Sequence, residues 1–379
     1  MRYPCTGPID PTGFAPFLAA ELAEPRRNLV AFAAELAARF NAPHLTLTNS
    51  GSSANLAAAT ALFERTGPGE ALTAGFTFST TANALLTAGY SVRLVDVEPG
   101  GFNLDPEALE RAIGPNTRLV CATHFLGYPA ALPAIRALCD AHGLLLLQDG
   151  CETMHLDVDG LPAHRYGDLL SWSFYHPHHL SAYGGGAVVA PDAEARAVVE
   201  SVAHWGRACR CHYDPPSCPA PPGPNHHFHY IRRGHNLELS ELNACFGRWQ
   251  LQRWPTDEAR RLAHAQTLHA ALADLAGVTL YPVAPGGGSP FVFPITLRSP
   301  RAVATATARL ADLGVETRNL MGGALASQPA YADLPHDGLT SCLAQAARSF
   351  FVGVHHTLPE RAVCDVASLL HRVLADLRG

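Results

Sequence analysis

Four leucines and a polar turn stand together in Leu144-Leu145-Leu146-Leu147-Gln148-Asp149-Gly150-Cys151-Glu152. A short apolar run that stops at turn-forming residues predicts a strand, and Asp149 falls at its carboxyl end. Strand-like and helix-like segments alternate around it, from about residue 44 to residue 190. The strand-like segments are 44–48, 91–97, 118–122 and 144–148, and the helix-like segments are 54–63, 106–113 and 132–141.

This alternation predicts an α/β fold in which helices cover a mainly parallel sheet. Open sheets of this class bind ligands beyond the carboxyl ends of their strands. The residues that follow each strand are therefore the first candidates for a functional site.

The second part of the chain has another order of segments. A helix at 257–275, strand-like runs at 278–283 and 291–297, and helices at 301–313 and 360–377 predict a smaller α+β domain. We expect a large domain at residues 1–250 and a small C-terminal domain at residues 251–379. An insertion rich in Cys, His and Pro, at about 205–233, interrupts the large domain, and long irregular loops are commonly functional or mobile.

Composition narrows the class of protein. Of the 379 residues, 47% are hydrophobic and 16% are charged, which is typical of a soluble chain with a substantial core. The net charge is only −6 and no basic run is present, so we expect a small-molecule ligand and neither nucleic acid nor membrane. The sequence shows no bilayer-length apolar run and no signal-peptide core, and the cytoplasm is the expected compartment.

The chain contains no lysine: all 27 of its basic residues are arginine. GC-rich codon usage can deplete lysine from a surface, but it spares a lysine that catalysis requires. The segment Ser173-Phe174-Tyr175-His176-Pro177-His178-His179-Leu180 offers histidines instead. Imidazole transfers protons but cannot hold an aldehyde as an imine.

Three further motifs are candidates for ligand binding, and two of them follow predicted strands. Asn49-Ser50-Gly51-Ser52-Ser53-Ala54-Asn55 opens a helix, where backbone N–H groups can bind phosphate, although a serine N-cap explains the same residues. Asp149 suits a pyridinium nitrogen that needs an anionic partner, or it caps the next turn. Phe78 can stack on a ring or belong to the core. Together with Gly184-Gly185-Gly186, these motifs form an order along the chain that is specific enough to compare with known families.

In this order of motifs, the chain resembles the DegT/StrS type of sugar aminotransferases, of pyridoxal-phosphate (PLP) fold type I, over roughly residues 25 to 375. In that family the pattern Ser-Phe-x-x-x-Lys-Asn-Leu carries the lysine that binds PLP, and His178 occupies its position here. Histidine at this position marks a subgroup that dehydrates nucleotide-linked 4-keto-6-deoxyhexoses at C3 with non-covalent pyridoxamine phosphate (PMP).

The resemblance implies roles for individual residues. It assigns the cofactor phosphate to Ser52, Ser53 and Ser173, ring stacking to Phe78, the ring nitrogen to Asp149, the ring hydroxyl to Glu152 and the catalytic base to His178. It also implies that Asn236, in Gly234-His235-Asn236, reaches the phosphate of a second subunit, which predicts a homodimer with shared sites. Glu238 and Tyr183-Gly184 depart from the family pattern, so the substrate pocket can differ.

Ten cysteines in a reducing compartment are expected to be free thiols or metal ligands. Cys209, Cys211 and Cys218 lie in the Pro-rich insertion, near a His-rich tract at 226–229 that can bind metal or simply be solvated. With Cys151 they resemble the four ligands of a 2Fe–2S cluster in the ascarylose-pathway 3-dehydrase, although the last gap is one residue shorter. A structural zinc site is the alternative for four cysteines.

This resemblance implies a net deoxygenation, since the cluster would pass electrons to the dehydrated product from a separate flavin or iron–sulfur reductase. Two alternatives remain at this stage. One is a cluster-free dehydratase that regenerates PMP from glutamate. The other is a catalytically silent relative that serves as a ligand-binding or partner subunit.

Overall fold

The computed structural model describes residues 2–9, 11–21, 27–211, 218–283 and 288–378. The strands up to residue 189 are β1 (Leu45–Thr48), β2 (Glu70–Ala74), β3 (Ser91–Val95), β4 (Thr117–Thr123), β5 (Leu145–Asp149), β6 (Asp157–Val158), β7 (Leu161–Pro162), β8 (Leu169–Ser173) and β9 (Gly186–Val189). The helices up to residue 251 are α1 (Phe14–Glu21), α2 (Arg27–Phe40), α3 (Gly51–Thr66), α4 (Ser79–Ala88), α5 (Pro106–Ala112), α6 (Leu132–His142), α7 (Ala193–Ala203) and α8 (Glu241–Leu251).

A seven-stranded sheet forms the centre of this first part, in the order β1-β9-β8-β5-β4-β2-β3. The pairs from β8 through β5, β4 and β2 to β3 are parallel, whereas β9 runs antiparallel to both of its neighbours. The leucine run enters this sheet as β5, with Leu146 and Leu147 almost completely buried. The predicted mainly parallel sheet with covering helices is confirmed, and its one reversed strand accounts for "mainly".

The second part has its own sheet. Its strands are β10 (Val278–Thr279), β11 (Val292–Leu297), β12 (Arg318–Asn319) and β13 (Ser349–Gly353), and its helices are α9 (Trp254–Leu272), α10 (Pro300–Asp312), α11 (Thr340–Arg348) and α12 (Glu360–Ala375). The sheet is antiparallel, in the order β10-β11-β13-β12. A second hydrophobic core includes Ile295, Leu310 and Leu370. Tyr3 also packs into this core, so the amino-terminal residues contact the part of the chain that the sequence assigned to the small domain.

The carboxyl ends of β1, β5 and β8 meet at one edge of the central sheet. There, α3 starts immediately after β1, and its first residue is Gly51. A Cβ atom at Gly51 would stand 2.6 Å from the Cβ of Ser173 and 2.8 Å from the Sγ of Cys151. Only glycine lets the start of the helix approach the ends of β5 and β8 this closely. Within the described residues, no helix is both long and apolar enough to span a bilayer.

Candidate active site

A cavity of about 540 Å³ opens at this edge of the sheet, between the two parts of the chain. Its walls include the predicted site residues Ser52, Phe78, Asp149, Cys151, Glu152, Ser173 and His178. A volume of several hundred cubic ångströms is typical of pockets for cofactors and small ligands. The structure therefore brings together, in one place, residues that lie up to 126 positions apart in the chain.

The carboxylate of Asp149 is buried at the end of β5, with 3% of the residue exposed. Asn55 donates a hydrogen bond of 2.9 Å to its Oδ2, and the Thr81 hydroxyl donates a second one to the same oxygen. The backbone N–H of Cys151 donates to Oδ1 at 3.0 Å. These donors fix the orientation of the carboxylate, but no ion pair to Asp149 is found in the described part of the chain. A buried carboxylate without a cationic side chain suits a ligand that brings a positive N–H group.

The N-terminus of α3 presents hydroxyls to the cavity. Ser50 is the N-cap, and its Oγ accepts the backbone N–H of Ser53 at 3.0 Å. The Ser52 hydroxyl is exposed and donates to the Oγ of Thr80 at 2.9 Å. The positive end of the helix and these hydroxyls form an anion-binding surface, which suits a phosphate group.

His178 lines the cavity, and its ring contacts those of Tyr175 and Phe291 edge-on, at centroid distances of 5.7 and 5.2 Å. Burial lowers its pKa to about 4, although a hydrogen bond to the backbone of Ser173 acts in the opposite direction. The imidazole is therefore neutral at neutral pH. Its Nδ1 atom is buried and has no hydrogen-bond partner among the described residues. A neutral imidazole with a free ring nitrogen is able to accept a proton.

Glu152 lines the cavity and accepts the backbone N–H of Leu126. Burial raises the pKa of its carboxyl group to about 8, and the charge of Asp149 adds to this effect. The hydrogen bond from Leu126 opposes the shift without cancelling it. Glu152 is thus protonated at neutral pH, and it can donate a hydrogen bond to an oxygen of a bound ligand.

We expect Glu152→Gln to remove one pH dependence of stability in the cofactor-free protein. Because the folded-state pKa lies above the ordinary value of 4.5, the folded protein holds a proton that the unfolded chain loses. Wild-type stability then falls as the pH rises from about 4.5 to about 8, by up to ~5 kcal/mol. The variant should lack this slope in denaturant unfolding between pH 5 and pH 8. The exposed Glu110→Gln is the control, and an equal slope in all three proteins would contradict the assignment.

Two of the predicted cofactor-binding residues do not line the cavity. The Ser53 hydroxyl donates to the Oδ1 of Asn49 at 2.6 Å and accepts from the Oγ of Ser50, so it belongs to the helix cap. Asn236 is exposed at a backbone bridge to His204 and lies outside the cavity wall of its own chain. Its predicted role requires a second copy of the chain and stays a prediction.

Sequence reasoning missed the residues that hold the site residues in place. Asn55 and Thr81 orient Asp149 from α3 and α4, but a single amide and a single hydroxyl within helices carry no sequence signal of their own. Arg318, on β12, lines the cavity from the second part of the chain. It pairs with Glu316 at 2.8 Å.

Three of the four predicted cluster cysteines converge, and the fourth does not. The Sγ atoms of Cys209, Cys211 and Cys218 and a ring nitrogen of His226 all lie within 4.8 Å of one another. The Sγ of Cys151 instead lies 3.8 Å from the Ser171 hydroxyl, at the cofactor cavity. Cys151 is not part of this group of donors, and the four-cysteine 2Fe–2S site, with Cys151 as a ligand, stays a prediction.

A scan against protein-family profiles matches residues 21–371 to the DegT/DnrJ/EryC1/StrS aminotransferase family. The chain belongs to this family. The family predicted from the motifs is confirmed, and the match includes both parts of the fold. The family members described next are 3-dehydratases by name, and their names state different nucleotide sugars.

One DegT/DnrJ/EryC1/StrS relative is the dTDP-4-dehydro-2,6-dideoxy-D-glucose 3-dehydratase of Saccharopolyspora spinosa, which is 31% identical over 92% of this chain and 80% of its own length. The GDP-4-keto-6-deoxy-D-mannose 3-dehydratase of Yersinia pseudotuberculosis is 26% identical over 76% of each chain. Among solved structures, an E. coli GDP-4-keto-6-deoxy-D-mannose-3-dehydratase with bound hydrated PLP superposes with a TM-score of 0.87, at 20% identity, over 98% of this chain and 99% of that one. The predicted PLP-type fold is confirmed.

Proposed function

We propose that this protein is a PMP-dependent dehydratase that removes the hydroxyl group next to the ketone of a nucleotide-linked 4-keto-6-deoxyhexose, at C3. The observation that carries the proposal is His178, a neutral imidazole with a free nitrogen on a cofactor-sized cavity, in a chain without lysine. An enzyme that must anchor PLP as an imine cannot work with this set of residues. An enzyme that keeps the amine form of the cofactor bound and only transfers protons can work with these residues.

The residues of the cavity fit PMP. The oriented carboxylate of Asp149 would accept the ring N–H, and the start of α3 with Ser52 and Ser173 would hold the phosphate. The protonated Glu152 would donate to the ring oxygen, and Phe78 would cover one face of the ring from the rim. When bound, PMP supplies an electron sink for a proton abstraction and a β-elimination.

The protein then needs one proton-transfer group. We assign this task to His178, which would accept a proton from the C4′ methylene of bound PMP. Phe291 and Tyr175 flank the imidazole and limit the approach of water. Since its pKa lies near 4, the base is available throughout the neutral range.

Both relatives described above carry names of nucleotide-sugar 3-dehydratases, which supports the proposed substrate class. Arg318 supports it as well, since a guanidinium on the cavity wall suits the diphosphate of such a substrate. We further propose a homodimer in which the exposed Asn236 of one copy reaches the site of the other.

Two routes would restore the cofactor amine. The deoxygenation predicted from the sequence needs a 2Fe–2S cluster and a separate reductase, and both stay predictions. A cluster-free dehydratase regenerated by glutamate is the second candidate, favoured because Cys151 is not part of the group of donors in which the other three cysteines converge. The two routes require different reaction partners. Turnover with glutamate alone would identify the cluster-free dehydratase, and turnover only with a reductase would identify the cluster-dependent deoxygenation.

The non-covalent cofactor is the part of the proposal that can be tested first. We expect borohydride treatment of the PLP-loaded protein to leave its intact mass unchanged in denaturing mass spectrometry. The matched control is His178→Lys, which should gain one pyridoxyl phosphate because an amine now stands at the imine position. A label on the wild-type chain would refute the proposal, and so would a wild type that binds neither PMP nor PLP.

A further inference from the structure

Backbone hydrogen bonds hold the base of the insertion at 205–233, and the large apolar side chains at 228–231, in its described part, are exposed. The Trp205 N–H donates to the carbonyl of His235 at 2.8 Å, and the Ala208 N–H donates to that of His229 at 2.9 Å. The segments 205–208 and 229–235 therefore run side by side, as a first and a second arm. Phe228, Tyr230 and Ile231 have exposed fractions of 60, 53 and 52%. These apolar side chains of the second arm thus do not bury one another, and the polar contacts of the tip become the features to examine.

The tip contains four metal-type donors in contact. The Sγ of Cys211 lies 3.0 Å from the Nε2 of His226, and the Sγ of Cys218 lies 3.4 Å from the same nitrogen. Cys209 completes a group in which all donor atoms are within 4.8 Å of one another. Four donors at 2.0–2.3 Å from one tetrahedral ion lie roughly 3.4–3.8 Å apart, so small displacements would place this group around an ion.

His226 is oriented as metal-binding histidines are. Its Nδ1 lies 2.9 Å from the carbonyl oxygen of Pro221, to which it donates as the Nδ1–H tautomer. This leaves the Nε2 lone pair directed at Cys211 and Cys218. A ligating histidine commonly donates its other ring N–H to a carbonyl or carboxylate in this way.

The thiolates also have outer partners. The backbone N–H of Arg210 donates to the Sγ of Cys218 at 3.3 Å, and the Nδ1 of His227 lies 3.1 Å from the Sγ of Cys209. Arg210 is itself fixed, because its side chain pairs at 2.7 Å with Glu200, a residue that is 3% exposed at the end of α7. Such contacts orient metal ligands and stabilise their charge.

From this arrangement we propose that Cys209, Cys211, Cys218 and His226 bind a single tetrahedral metal ion of the zinc type, which closes the tip of the insertion. A 2Fe–2S cluster divides its protein ligands between two irons, so the ligands of one iron stand apart from those of the other. The mutual approach of all four donors suits one ion, and three cysteines with one histidine are a common structural zinc set. Cys151 takes no part in it.

The ion would fix the two arms of the insertion. Asn236 lies directly beyond the second arm, at the backbone bridge to His204, so the ion would also limit the position of this residue. The inference concerns the metal alone and does not require that the protein be a dehydratase. Its failure is therefore separable from failure of the proposed function.

Metal content tests the inference. We expect protein purified from medium supplemented with zinc and iron to hold about one zinc per chain and no acid-labile sulfide. His226→Ala should weaken zinc binding at least tenfold in competition with a chromophoric chelator. The controls are His229→Ala, an exposed histidine of the same segment, and Cys151→Ser, and both should bind zinc as the wild type does.

Two further measurements keep the test decisive if a variant folds poorly. Cobalt(II) added to metal-free wild type should give the intense visible absorption of a tetrahedral thiolate site, and zinc should slow limited proteolysis within 205–233. Two irons and two sulfides per chain, lost in Cys151→Ser and retained in His226→Ala, would overturn the proposal in favour of the four-cysteine cluster. A wild type that binds neither zinc nor cobalt, or a zinc content that His226→Ala leaves unchanged, would also overturn it.

Discussion

Replacing His178 with asparagine is expected to reduce proton exchange at the cofactor C4′ methylene by about 10²- to 10⁴-fold, the usual contribution of a positioned general base. Asparagine has a similar size and can still hydrogen bond to the backbone of Ser173, but it cannot accept a proton from carbon. The loss should be measured as washout of deuterium from labelled PMP bound to the protein, by NMR, with and without keto-sugar. Binding of PMP should change little, because the phosphate and ring-nitrogen partners remain.

His176→Asn is the matched control, since His176 is two residues away and does not line the cofactor cavity. Its exchange rate should stay within about threefold of the wild type. Exchange in His178→Asn at more than a tenth of the wild-type rate would show that another group is the base. Absence of exchange in the wild type itself, with PMP bound, would favour the silent-subunit alternative.

The sequence predicted the first part of the fold from β5 and its neighbours, because a parallel strand buried on both faces gives a continuous apolar run. Leu144 to Leu147 is such a run, and the strand ends close to the predicted position, at Asp149. By contrast, β12 comprises only Arg318 and Asn319. Both residues are exposed, and two residues are too few to show the alternation of apolar and polar side chains that marks a strand. Their place in a sheet therefore depends on pairing with β13.

Part of the site was predictable because several of its residues lie at or just after strands whose carboxyl ends share one edge of the sheet. Asp149, Ser173 and His178 all stand just at or after such ends. The contact of His226 with the cysteines could not be predicted from the sequence. The sequence showed a His-rich tract, but which of its histidines turns inward depends on the backbone of the insertion and on the carbonyl of Pro221.

Replacing Asp149 with asparagine should weaken PMP binding by 100-fold or more. Removing one partner of a buried ionic contact costs about 3–5 kcal/mol, and each 1.4 kcal/mol corresponds to a factor of ten. The asparagine has a further disadvantage. Three donors, from Asn55, Thr81 and the backbone of Cys151, converge on the two carboxylate oxygens, so an amide NH₂ group in place of either oxygen would face a donor.

The control Thr81→Val separates charge from orientation. It removes one donor to Asp149 but keeps the negative charge, and a hydrogen bond to a charged group contributes about 1.5–3 kcal/mol, so its effect on PMP binding should be clearly smaller. Dissociation constants for PMP from titration calorimetry at pH 7.5 would rank the three proteins, with thermal unfolding of the cofactor-free proteins as a check on folding. Equal affinities for PMP in the wild type and Asp149→Asn would mean that the ring nitrogen does not bind this carboxylate.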